Sequence, residues 1–430
     1  MIAFVTLFLG LVHGTVPLRL AAAEGVAVVE IYLDDERVLD VYGPPFEAAL
    51  DLGPEIVPRE VVAVARARDG RRLGEVRQWI NRPRPGAEAS FLLERDRSGR
   101  TVSARLLWRR ISGAPLSAAR VFFDGTPLEA PDLERIAIPR HAPEIAHFLL
   151  ADVDFADGGS ATAVASFGGV NRGKAERELT GLPVRVVGRA PVPPPDRLSG
   201  WFESGSRPLP VAAVEEGPAE VGFVLAGNAR DDLARLDSED RWPWPWSNPR
   251  PIDLPQGARF RFSGTEPRTV SEAGETVRLF PACGEFTPKD GRFLRLGAGA
   301  ALERPPAAPA IAEAVAVSAL ASAGRERRRA VVLLLGEGAT EMGRLDAARV
   351  RRYLSRLRVP LFVWRISKEG APAAEDWPGV VDASTVPQLR EAFHALRSEL
   401  ASQRIVWVEG RIEPSRIGLS SRATAFVEAR

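Results

Sequence analysis

The hydrophobic pattern of this 430-residue chain changes period once along its length, and that change limits the fold more than any single motif does. Up to about residue 180, apolar and polar residues alternate over short runs separated by Asp and Gly turns, which is the pattern of half-buried strands. From about residue 209, nearly continuous apolar runs alternate with stretches whose apolar residues recur at three- and four-residue steps, the pattern of strands followed by helices. A chain of this length holds roughly two to four domains. The expected architecture is therefore two β-sandwiches followed by a doubly wound α/β domain with a mostly parallel sheet.

Within the β half the sequence repeats itself. Val28 to Leu33 runs into Asp34-Asp35 and returns through Glu36 to Leu39; Ala119 to Phe123 runs into Asp124-Gly125 and returns through Thr126 to Leu128. Each copy then has a late strand, Val61 to Arg68 and Ala151 to Phe155, and a closing strand, Gly74 to Ile80 and Ala161 to Phe167. Tight Asp-Gly turns between alternating strands are hairpin chemistry. These segments resemble bacterial Ig-like modules and predict sandwiches over 24–83 and 84–183, with Phe91 to Glu94 and Thr101 to Trp108 opening the second. A Pro-rich stretch, Ala190 to Pro195, predicts a stiff linker over 184–208.

Residues 1–23 are expected to form a signal peptide, cleaved after Ala23 or kept as an anchor. The apolar run from Met1 to Val12 followed by Ala21-Ala22-Ala23 has the length and ending of a signal peptide, although no basic residue precedes the run. The same run also suits a buried first strand. It is too short for a comfortable membrane span.

Composition excludes several classes of chemistry. The net charge is +1 with basic and acidic residues interleaved, so neither a nucleic-acid footprint nor a membrane-binding patch is present. Cys283 is the only cysteine, which rules out an internal disulfide and a cysteine-based zinc cluster. The histidines, His13, His141, His147 and His394, are too scattered for a ligand set. No nucleophile elbow, phosphate loop or dinucleotide fingerprint occurs, and no cofactor is implied. The basic run Arg325 to Arg329 is expected to lie where a helix ends, with its cations favouring the helix dipole.

In the second half, strands are expected over Pro218 to Ala226, Ala330 to Leu335, Pro360 to Ile366 and Arg404 to Glu409, with helices over Ala310 to Ala321, Asp346 to Leu357 and Val386 to Gln403. The run from Arg328 through Val332-Leu333-Leu334-Leu335-Gly336-Glu337-Gly338 to Leu361-Phe362-Val363-Trp364, with Leu389 to Phe393 and Glu399 to Arg404, resembles the later part of a von Willebrand factor A domain. It is especially similar to the bacterial VWFA-related family of exported proteins, over roughly 209–412, with 413–430 as a strand or tail.

That resemblance implies a cation site after the first strand, where an aspartate and two serines hold a hard ion through oxygen. Here Ala226, Asn228 and Arg230 stand in those positions, and Gly336-Glu337-Gly338 stands where the family carries Thr-Asp-Gly. Alanine cannot ligate and arginine repels the ion, so the expected domain binds no metal. Separately, Trp242, Trp244 and Trp246, spaced by prolines, cannot lie inside a helix or central strand. They form either a contact platform or the cover of a domain junction.

Together these readings predict a periplasmic or secreted, non-enzymatic interaction or adhesion protein. Its protein or glycan partner would be met through Asn228, Arg230, Glu337 and the tryptophan segment. A structural envelope scaffold without a discrete ligand is the alternative, and a hydrolase with an unrecognised carboxylate pair is a more distant one.

Overall fold

The computed structural model describes residues 2–6, 8, 11–82, 87–96, 98, 100–110, 115–129, 132–142, 145–155, 160–168, 179–187, 194–205, 207–239, 258–272, 275–283, 293–324, 327–410, 412, 414–424 and 426–428. It contains three β-sandwiches and one α/β unit. The two repeat copies share one topology. Strands Glu36–Tyr42, Val28–Leu33, Arg59–Arg66 and Arg72–Ile80 lie side by side in that order, and so do Thr126–Pro127, Leu116–Phe123, Ala146–Phe155 and Ser160–Gly168. Both opening hairpins turn through two residues at positive φ, Asp34 and Asp35 in one and Asp124 and Gly125 in the other, the backbone that a two-residue hairpin loop demands.

The first sandwich uses the N-terminal residues as strands. Ile2–Phe4, Thr15–Ala22 and Phe46–Asp51 form its second sheet. Leu18 is wholly buried, and Ile2, Phe8 and Leu20 join the same core. In the structure this segment forms strands whose alternating apolar side chains fill one face of the sandwich. Asn81 holds the segment further, exchanging hydrogen bonds with the backbone of Val12 at 2.7 and 2.6 Å.

The third sandwich was not expected. Its sheets run Val211–Glu215, Gln403–Glu409, Leu179–Val186, Val427–Glu428 and Arg207–Leu209, Phe202–Ser204, Ile417–Leu419. Within the span expected as a linker, Leu198, Trp201 and Phe202 are buried in this core with Val406 and Val408; residues 188–193, with most of the Pro-rich stretch, lie outside the described residues. The tail 413–430 supplies two of its strands. Strand Gln403–Glu409, expected to close the parallel sheet, pairs antiparallel with Leu179–Val186 and with Val211–Glu215. The α/β unit is inserted into this sandwich, and its last helix passes into the strand without a linker.

In the α/β unit five parallel strands are β1 (Ala219–Ala226), β2 (Arg259–Gly264), β3 (Arg328–Leu335), β4 (Leu361–Arg365) and β5 (Val380–Asp382). Their order is β2-β1-β3-β4-β5. Every residue of β1 and β3 is buried, as expected of a sheet covered on both faces. One face carries α3 (Ile311–Ala323) and α4 (Ala347–Arg356); the other carries α1 (Ala229–Glu239), α2 (Phe293–Gly299) and α5 (Val386–Ser402). Asp346 starts α4 by accepting the Arg349 N–H at 2.7 Å, and Thr385 caps α5 ahead of Pro387, both of which satisfy end groups the helix leaves open.

Polar contacts tie the modules together. Tyr353 on α4 donates its hydroxyl to the Asn81 carbonyl at 3.0 Å, and Arg352 forks onto Glu55 at 2.9 and 2.7 Å. Arg327 pairs with Asp152 of the second sandwich at 3.1 Å, their side chains 1% and 2% exposed. Beside them Arg259 grips both oxygens of Asp154. Of the basic run, which follows the end of α3, Arg327 joins two modules and Arg328 donates to the carbonyls of Gly217 and Leu400, while Arg325 lies outside the described residues. Among the described residues no helix is long and apolar enough to cross a membrane.

Candidate functional site

In open α/β sheets a ligand meets the carboxyl ends of the strands where connections leave in opposite directions. With the order β2-β1-β3, that point lies between β1 and β3. The loops leaving them hold Gly227-Asn228 and Gly336-Glu337-Gly338, so Asn228 and Glu337 do come together. Asn228 donates its backbone N–H to the Glu337 carbonyl at 3.0 Å, and Gly336 donates to the Ala226 carbonyl at 3.0 Å.

The two loops touch backbone to backbone. A Cβ at Gly336 would stand 2.1 Å from the Ala229 nitrogen, and one at Gly227, whose φ is +61°, would stand 2.5 Å from the Glu337 carbonyl oxygen. Glycine is required at both positions for this approach. The crevice that such folds use for small ligands is consequently filled, and the side chains of Asn228 and Glu337 stand exposed on its crest.

Asp232 lies just beneath. Its carboxylate accepts the Glu337 N–H at 2.9 Å and faces Arg235 at 3.6 Å. Burial raises its pKa above the ordinary carboxylate value, the Glu337 charge adds to the rise, and the Glu337 N–H and Arg235 oppose it. The sequence reading missed this acid. The signal available was an Asp pair directly after a strand and a Gly turn, in the first turn of a helix, where carboxylates suit the dipole.

Arg230 is turned away from the crest: its Nε–H donates to the Ala298 carbonyl at 2.8 Å, near the end of α2. Ala226 is fully buried and brings no donor atom. Among the described residues no group of three or more His, Cys, Asp and Glu is placed to hold a metal ion. Trp242, Trp244 and Trp246 lie outside the described residues.

No family model matches the chain, and no curated protein matches it. Solved structures similar to it include fibronectin(III)-like modules of Clostridium thermocellum CbhA, at 17% identity over 19% of this chain and 93% of that one, with a TM-score of 0.17. The central fibronectin-III array of RIM-binding protein is similar at 11% identity over 45% of this chain and 80% of that one, TM-score 0.18. The human COPII-coat protein Sec24c is similar at 9% identity over 46% and 40%, TM-score 0.26. At TM-scores this low the overlaps identify no shared function.

Proposed function

We propose that the chain is a non-enzymatic, extracytoplasmic interaction or adhesion protein whose α/β unit is a metal-independent von Willebrand factor A-like module. The observation that carries this is the closed crest between β1 and β3. A filled crevice with exposed Asn228 and Glu337 offers a projecting, rigid surface, which suits a macromolecular partner better than a small substrate that must be enclosed. Trp242, Trp244 and Trp246 are a second contact on sequence grounds. The partner is a protein or glycan outside the cytoplasm.

Cross-linked capture from an envelope extract, with and without EDTA, tests the reading. A partner retained in EDTA and lost on joint replacement Asn228→Ala and Glu337→Ala supports it. A partner released by EDTA, or one that survives both that double variant and the joint change of the three tryptophans to alanine, overturns it. One observation favours the structural-scaffold alternative: the desolvated Asp152–Arg327 and Asp154–Arg259 pairs lock the modules to one another, a rigidity that a purely architectural role would also use.

A further inference from the structure

A cleft of about 260 Å³ opens between the first and third sandwiches. Asp34, Asp35, Glu60 and Trp79 line it from the first, and Ser204 and Arg416 from the third. The two aspartates reach it on the tight hairpin turn between Val28–Leu33 and Glu36–Tyr42, both at positive φ. Arg416 reaches from the third sandwich to the first, pairing with Asp35 at 3.0 Å and Asp34 at 3.3 Å.

The charges of this wall are matched. Asp34 also faces Arg59 at 3.4 Å and accepts the Glu60 N–H at 3.0 Å, and Glu60 faces Arg77 at 3.4 Å. Each lining carboxylate thus has a guanidinium beside it, so neither an anion nor a cation gains strongly by entering. What remains is a dense set of charge-assisted donors and acceptors beside an indole. Arg82 lies over the Trp79 ring at 4.1 Å and braces it.

Paired carboxylates and guanidiniums beside an aromatic plate suit a neutral polyhydroxylated ring. Its hydroxyls both donate and accept, and its C–H face packs on the indole. The volume falls just under the roughly 300–1,000 Å³ of sites for drug-sized ligands, which limits the occupant to a single ring. We infer that the cleft binds one neutral sugar unit, either a free monosaccharide or the terminal residue of a glycan. This goes beyond the function proposed above and does not depend on the α/β crest.

Saturation-transfer NMR on the full chain with neutral hexoses and N-acetylhexosamines tests the inference, alongside oligosaccharides ending in the same sugars, with arginine amide and citrate as charged controls. The expected result is binding of at least one neutral sugar, weakened about tenfold or more by Trp79→Ala and by Ser204→Trp, which fills the cleft from the opposite wall. Binding of the free sugar identifies a monosaccharide site, and binding only of the oligosaccharide identifies a glycan end; both support the inference. Trp79→Phe replaces the alanine variant if that one does not fold. Sugar binding is read on the cleft variants and partner capture on the crest variants, which separates failure here from failure at the crest. No neutral sugar binding, tighter binding of a charged control, or unchanged affinity in Ser204→Trp would overturn the inference.

Discussion

Replacing Asp152 with alanine leaves a guanidinium buried without its counter-charge, and the structure allows the cost to be sized. Arg327 and Asp152 stand 3.1 Å apart with side chains 1% and 2% exposed. At that separation their attraction is roughly 5 kcal/mol at an effective dielectric constant of about 20. Removing one partner of such a pair costs about 3–5 kcal/mol, because the remaining charge keeps its desolvation penalty. Arg120, 3.7 Å from Asp152 and 43% exposed, can turn to solvent and adds little. Replacing both partners, Asp152→Leu with Arg327→Met, should restore stability to within about 1–2 kcal/mol of the natural chain. Since a chain of several modules need not unfold in one step, the readout is urea-dependent hydrogen exchange at the amides of residues 146–155 and 328–335. A loss below about 1 kcal/mol in Asp152→Ala would mean that water reaches Arg327 and that the modules are not sealed together.

Three further outcomes follow from the same geometry. Leu18→Ala should destabilise the first sandwich by about 2–5 kcal/mol, because Leu18 is fully buried; a thermal melt unchanged by it would mean that strand Thr15–Ala22 is not packed in that core. Gly336→Ala should cost about 1–3 kcal/mol, since its Cβ would meet the Ala229 nitrogen; wild-type stability measured by urea unfolding would mean that the crest loops are not in contact. Asp232, whose folded pKa lies above the ordinary 3.8, holds its proton more tightly folded than unfolded, so its contribution falls as pH rises from 3.8 through the folded value. Asp232→Asn removes that dependence and should gain stability relative to wild type between pH 3 and pH 7 in paired thermal melts, whereas parallel curves would refute the assignment.

The strands and helices legible in the sequence were those whose partners are local or whose burial is total. Arg328–Leu335 reads as a central strand because all eight residues are buried, and α5 reads from Leu389, Phe393, Leu396 and Leu400 on one face. The Asp34-Asp35 and Asp124-Gly125 turns announce their hairpins for the same local reason. The third sandwich was hidden because its two halves flank the whole α/β unit: Thr180 hydrogen-bonds the Gly410 carbonyl across 230 positions, and hydrophobic period carries no record of such a partner. Strand Gln403–Glu409 looked parallel because it follows a helix, yet its neighbours are antiparallel. At the crest, Asn228 and Glu337 were found from their places after two strands. Arg230 was placed in the motif but not in space, since its orientation is set by the Ala298 carbonyl on another helix. Asp232 escaped because its burial depends on the packing of both loops.

The proposed crest works without a cation, and a manganese titration tests that directly. Titration of Mn²⁺ into the full chain, followed by the electron paramagnetic resonance of the free ion, should show no site tighter than about 1 mM, the weak end of carboxylate cation sites. Stoichiometric micromolar binding that disappears in Glu337→Ala would contradict it, and would place a working metal centre between β1 and β3.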